Sequence, residues 1–289
     1  MNRISWNKII AICGKEYRAW IWNTRLLLVL VMLVFIREIA ILPLIEASVN
    51  MDSPINILEP CIALSNSGFV LLILPLVYLV LMSDFPHVDN NMFFIISRVG
   101  RINWILGEVL FQITALISYL GFIIVSTMIQ TGAYAYTANG WSLVATDYST
   151  LYEGADTVVS DLLPLNLTYQ MPPLQAFCMS FGLVALSLIL WSAVLLLFSL
   201  YGKKLIGLCV DVLLISVGIG LAALKVKGMW LLPVSHTILW LHYQRYYREY
   251  VFSPTWSVCI LFVLVGIVYV LIGKKSKVVN IDAIWEEKR

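Results

Sequence analysis

Apolar residues along this chain run together in long blocks that no charged residue interrupts. Residues 60–83, 109–146, 162–202 and 250–273 contain no Asp, Glu, Lys or Arg. A water-exposed helix needs polar positions every three or four residues, and these blocks lack such a face. A bilayer core of about 30 Å takes about 20 helical residues. Six segments reach that length: 26–45, 62–82, 103–130, 174–200, 205–224 and 256–272. The pattern predicts an all-α polytopic membrane protein with six transmembrane helices. A β-barrel fits poorly, because the blocks are continuous runs rich in Leu, Ile and Val, not alternating strands of about ten residues.

Two segments depart from simple blocks. Within 6–25, Trp6, Ile10, Cys13, Tyr17, Trp20 and Thr24 recur at helical spacing, with Lys8 and Lys15 nearly opposite and Arg18 and Arg25 to the side. That face suits an amphipathic helix lying in the headgroups; a plain basic flank to the first span is the alternative. The apolar run 228–244 is short and contains Pro233 and His236, and Trp230, Trp240, Tyr243, Tyr246, Tyr247 and Tyr250 in and just after it supply headgroup-level anchors. A seventh span there would reverse the C-terminus. A re-entrant or interfacial hairpin at 228–250, between spans 5 and 6, is the preferred reading.

Composition agrees with the blocks: 61% of the 289 residues are hydrophobic, 12% are charged and mean hydropathy is +0.89. The position of the charge matters more than its net value of +2. Residues 1–25 carry five basic side chains, 83–102 carry two, the turn at 201–204 two and the tail 273–289 five, together 14 of the 19. The positive-inside rule then places both termini in the cytoplasm. The loops at 46–61 and 131–173 hold acidic residues only, among them Glu46, Asp52, Glu59, Asp147 and Asp161. Lys225, Lys227, Arg245 and Arg248 break the rule on the outer side. The apolar run after residue 25 has no cleavage signature and is expected to stay as the first span.

Little catalytic chemistry is visible. The sequence has no phosphate-cradling G-x-x-x-x-G-K-[ST], no H-E-x-x-H and no G-x-S-x-G, so an enzyme is not expected and no cofactor is assigned to the chain. Cys13, Cys61, Cys178, Cys209 and Cys259 form no C-x-x-C pair and read as small buried hydrophobes. His236 and His242 read as interfacial hydrogen-bonding groups; His87, the remaining histidine, is on the other membrane side, which argues against a shared metal site. Four ionisable groups fall inside spans: Arg37, Glu38, Glu108 and Asp211. Arg37 and Glu38 point about 100° apart and are expected to pair across helices. Snorkelling, or ion pairing to Arg98, Arg101, Lys203 or Lys204, is expected for Glu108 and Asp211; a proton or cation relay is the alternative.

The layout resembles the membrane subunit of an ABC-2 type transporter. The features that carry the likeness are the helix near 6–25, six spans, and a loop at 83–102 containing Ser97-Arg98-Val99-Gly100-Arg101 before Glu108. The Pro- and Trp-containing Trp230-Leu231-Leu232-Pro233 before span 6 is a further one. The likeness is architectural and carries no catalytic motif. It implies a permease in the bacterial cell membrane, paired with a second identical or related permease and with a separate ATPase subunit that binds ATP and Mg. Nucleic acid is not among the implied partners. The loop 83–102 then corresponds to the coupling segment, with Phe93, Phe94, Arg98 and Arg101 as contact residues. An amphipathic peptide, lipid-linked or hydrophobic cargo is expected to be exported. The long loop 131–173 and the basic Lys225 and Lys227 are departures from the family pattern. That loop could cap the exit, contact a partner, recognise cargo or merely be solvated. A non-transporting sensor or immunity component, and an ion-coupled secondary transporter, are the other readings. The second calls for two similar halves, which the loops do not show.

Overall fold

The computed structural model describes residues 4–86, 92–151, 157–244 and 249–276. Helix α1 (Trp6–Ile21) precedes a continuous apolar element over 24–50, made of α2 (Leu27–Ile36), a π-helical turn (Arg37–Ile41) and α3 (Leu42–Asn50). Then follow the short strand β1 (Ile55–Asn56), α4 (Glu59–Asn66), α5 (Gly68–Met82), α6 (Met92–Val99) and α7 (Arg101–Thr131). Strand β2 (Ala135–Tyr136) pairs in parallel with β1, Ile55 opposite Ala135. Helices α8 (Leu143–Leu151), α9 (Thr157–Leu162) and α10 (Leu165–Thr168) lead to three long helices, α11 (Pro173–Leu200), α12 (Lys204–Ala223) and α13 (Pro254–Ser276).

The chain is an all-α, multi-pass membrane protein. Among the described residues five helices are long and apolar enough to cross a bilayer, and a sixth crossing exists if α4 and α5 count as one. The second expected span, 62–82, is not straight: α4 and α5 meet at 84°. Ser67 is extended there and its hydroxyl accepts from Val70 N at 3.5 Å, so it caps α5 and ends α4.

Buried polar groups tie the long helices together. Tyr119 Oη donates to Leu74 O at 2.7 Å, joining α7 to α5. Gln112 donates to Ser192 O at 2.9 Å and accepts from Tyr269 Oη at 2.7 Å, joining α7 to α11 and α13. Such bonds hold helices where lipid offers little hydrophobic contrast.

Helix α1 packs along the first half of α7, and its contacts advance in step: Ser5 N donates to Asn103 Oδ1 at 3.0 Å, and Tyr17 Oη lies 2.7 Å from Ser118 Oγ. The face buried on α7 is Ile9, Ile12, Cys13, Glu16 and Trp20, which shares Cys13 and Trp20 with the apolar face read as lying in the headgroups. Trp6 and Ile10 are 70% and 58% exposed. Both faces of α1 carry apolar residues, and packing on α7 selects the one that meets Gly107. Cys13 and Cys61 are buried as expected; Cys178, Cys209 and Cys259 are exposed on outward helix faces, which corrects their reading as core residues.

Candidate functional site

The end of the bundle that carries the 83–102 segment is built around a helical corner. Gly100 adopts φ 90°, a conformation side-chain-bearing residues avoid, and its N–H donates to Ile96 O at 2.8 Å while Trp104 N donates to Gly100 O at 3.0 Å. Helix α6 therefore turns directly into α7. Ile96 is buried and anchors α6, whereas Phe94, Arg98 and Arg101 are exposed, Phe94 to 75%. Phe94 and Arg98 are four apart and share one helix face. The side chain of Phe93 lies outside the described residues, as does His87. Lys8 of α1 donates to Arg98 O at 3.2 Å, and Arg25 pairs with Asp84 at 2.8 Å and with the Ser83 hydroxyl. The segment is thus braced against α1, the start of the first long helix and α7. Lys275 stands 4.1 Å over the Tyr201 ring at this same end.

The four ionisable groups expected to form a charge network are not brought together. Arg37 and Glu38 lie in the π-helical turn and are exposed on the bundle's outer surface. No ion pair joins either to another helix among the described residues, because the turn directs both away from the bundle. Glu108 and Asp211 are fully buried, and their carboxyl oxygens have no hydrogen-bond partner of ordinary geometry among the described residues. Neither carboxyl hydrogen-bonds to Arg98, Arg101, Lys203 or Lys204 among the described residues; Glu108 instead faces α1, which brings Glu16 and Lys15 near it.

At the opposite end the described parts of the 131–173 segment, 131–151 and 157–173, form a cap. Glu59 is fully buried and accepts from Asn56 N at 3.1 Å, Ser142 N at 2.7 Å and Ser142 Oγ at 2.7 Å. Asn56 Nδ2 donates to the carbonyls of Ala138 and Gly140. Asn66 donates to Leu162 O at 2.9 Å, and Asn166 to Trp240 O at 2.8 Å, so the cap is bonded to α4 and to the 228–250 hairpin. The reading of this segment as merely solvated does not survive: Val144, Ala145, Tyr148, Val159, Leu162 and Leu163 are in the core.

In the segment expected to form a hairpin, the described residues 227–242 form short 3-10 turns, Lys227–Leu231, Ser235–Thr237 and Leu239–His242. Pro233, half-buried, separates the first two, where it cannot donate to a continuing helix. His236 and His242 are almost completely buried, and both are hydrogen-bonded as read from the sequence. His236 Nδ1 and His242 Nε2 each lie 2.8 Å from Ser257 Oγ, in the first turn of α13. Trp230 stacks on Phe252 with centroids 4.7 Å apart and covers both imidazoles. Lys225, one of the basic residues that broke the charge rule, sits 5.1 Å over the Trp240 ring. Arg245 and Arg248 lie outside the described residues, with Tyr246 and Tyr247. Sequence reasoning singled out the two histidines but missed Ser257, Phe252, Glu59 and Ser142. Neither a spacing nor a motif marks these four, since their partners come from other helices.

Burial lowers both imidazole pKa values, and that of His242 falls from 6.5 to about 4. An unfolded chain binds a proton at His242 below 6.5, the folded one only below about 4. Stability is therefore complete above 6.5 and is lost as pH falls between those values. The expected result is a melting temperature in detergent that declines with acidification through this window, and a shallower decline in His242→Gln. A parallel decline in that variant would overturn the assignment.

No protein family, no curated protein and no solved structure matches the chain. Among the described residues no three His, Cys, Asp or Glu side chains come together as a metal site.

Proposed function

We propose that this chain is the transmembrane subunit of an ATP-driven ABC transporter of the ABC-2 type, with ATP and Mg bound by a separate ATPase subunit. The observation that carries the reading is the corner at Gly100, bonded to α1, which leaves Phe94, Arg98 and Arg101 exposed. An exposed aromatic beside arginines is the composition of a protein-docking surface. Motion of a docked partner reaches α7 through the Gly100 corner, and α1 through the Lys8 and Ser5 bonds.

The basic end is the cytoplasmic one on this reading, with both termini there, and the ordered cap faces outside. Two permease subunits form the path between them, and closure of the ATPases rocks the helices against the cap. The hairpin at 228–250 serves as a re-entrant element at the exit. The cargo is exported and is an amphipathic peptide, lipid-linked or hydrophobic molecule. The ordered cap also favours a second reading, a non-transporting membrane component that captures a ligand outside.

Copurification separates the two. The tagged chain, extracted from its native membrane in mild detergent, is expected to bring down an ATP-hydrolysing subunit. Phe94→Ala combined with Arg98→Glu and Arg101→Glu is expected to lower the copurified ATPase activity more than about tenfold with an unchanged melting temperature. Absence of any ATPase in the wild-type preparation, or undiminished activity in the triple variant, would sink the transporter reading.

A further inference from the structure

We propose that His236, Ser257 and His242 form a binding site for one proton, shared between two imidazoles through a single hydroxyl. The argument is a count of hydrogens. His236 Nε2 lies 2.9 Å from Trp230 O, and His242 Nδ1 lies 3.0 Å from Ile238 O and 3.2 Å from Leu239 O. A carbonyl only accepts, so each of these ring nitrogens carries a hydrogen. If both rings are neutral, the remaining nitrogens, His236 Nδ1 and His242 Nε2, are bare acceptors. Both point at Ser257 Oγ from 2.8 Å. That hydroxyl has one hydrogen and satisfies one of them, leaving the other contact lone pair against lone pair. One added proton completes the set: the charged ring donates to Oγ, and the hydroxyl donates to the neutral ring. A second proton would place two like charges on either side of one oxygen and leave the hydroxyl hydrogen without an acceptor.

Ser257 and His242 are fully buried and His236 is 1% exposed, so solvent does not substitute for the missing bond, and Ser257 is too enclosed to serve as a nucleophile. The Trp230 ring stands 4.9 Å from His242 and 5.5 Å from His236, and Phe252 lies 5.4 Å from His236. Aromatic rings at this range stabilise a cation. Burial and the positive end of α13 act against it.

The elements packed on the two histidine turns bring few other ionisable groups. Lys225 stands over Trp240 of the second histidine turn, Lys227 opens the turn holding Trp230, α11 carries Cys178, and α12 carries Lys204, Cys209 and Asp211. Helix α4 carries Glu59, whose carboxyl is taken up by Asn56 and Ser142, and Cys61. Helix α13 carries Cys259, Tyr269, Lys274 and Lys275, and Tyr243 pairs with Tyr250 beside the turn. None of these hydrogen-bonds to either ring among the described residues. Burial bears harder on His242 than on His236, and the charge of His236 adds to it, so the proton resides on His236 and His242 stays neutral. The inference does not depend on the transport reading.

The test is a titration of the full chain, labelled with nitrogen-15 in its histidine rings, in lipid nanodiscs from about pH 8 to about pH 5. A His87→Gln background removes the third signal. The expected result is uptake of one proton by the pair, with one ring turning charged while the other keeps its neutral form protonated at Nδ1. Ser257→Ala is expected to weaken binding of that proton about tenfold, and Ser257→Thr, which restores the hydroxyl, to recover it. Two rings neutral throughout, two rings charging together, or an unmoved midpoint in Ser257→Ala would each overturn the proposal. The wild-type titration alone decides the proton count if a variant fails to fold.

Discussion

Replacing Glu59 by alanine is expected to loosen the cap over one end of the bundle and to cost roughly 3–6 kcal/mol of stability. Three donors converge on this one buried carboxyl: the backbone N–H groups of Asn56 and Ser142 and the Ser142 hydroxyl. Truncation leaves all three without an acceptor in a site closed to water, at about 1–3 kcal/mol each, less whatever the site recovers by relaxing. The damage spreads along the chain in a defined order. Ser142 also accepts from Ala145 N at 3.2 Å and so caps α8, and Asn56 holds the carbonyls of Ala138 and Gly140. Limited chymotrypsin digestion in detergent reads the outcome, since Tyr136, Trp141 and Tyr148 lie in the segment released. Faster cleavage there, with a lower melting temperature, is expected; Glu59→Gln, which keeps one acceptor oxygen, is expected to fall between. Wild-type resistance in the alanine variant would show that the cap is held by its apolar contacts alone.

The second large effect is expected at Gly107, where α1 lies against α7. A Cβ at this position would stand 2.7 Å from Ile12 Cγ2, 2.8 Å from Ile12 Cβ and 3.2 Å from Ile9 O. Part of the obstruction is backbone and a β-branched stem, so no rotamer change clears it, and α1 must move off. Overpacking of this kind costs about 1–3 kcal/mol, and here it also breaks the ladder of bonds from Ser5 and Lys8 to Tyr17. Gly107→Val is therefore expected to raise amide hydrogen exchange throughout Trp6–Ile21 about tenfold or more while leaving the long helices protected. Adding Ile12→Ala opens space and is expected to restore part of the protection. Unchanged exchange in Gly107→Val would mean that α1 is not seated on α7 as described. Under the transporter reading the same variant uncouples the ATPase with Phe94, Arg98 and Arg101 intact, which separates bracing from direct contact.

Legibility differed sharply between these features. The apolar segments marked two of the long helices to within a few residues: 103–130 against Arg101–Thr131, and 174–200 against Pro173–Leu200. The break at Ser67 was visible in principle, since Ser65-Asn66-Ser67-Gly68 interrupts an apolar block with a helix-capping signal. Apolar length outweighed it when the span was drawn straight. Which face of α1 packs on α7 was not legible, because both of its faces carry apolar residues and only the close approach at Gly107 decides between them. The expectation that Arg37 and Glu38 each find a partner on another helix was reckoned on α-helical side-chain directions, which the π-helical turn shifts, and among the described residues both are exposed.

What the sequence determined by itself is that this chain belongs in a bilayer as a set of helices, and which stretches of it those are. Hydropathy acts residue by residue and adds up along a continuous segment, so a local sum reports it. Everything that gives the molecule a chemical interior was decided by tertiary structure. Glu59 meets Ser142, Asn66 meets Leu162, and two imidazoles meet one serine hydroxyl only when separate helices are docked. Those are pairwise encounters between groups remote in sequence, and their worth depends on water being excluded around them, a condition no single segment sets.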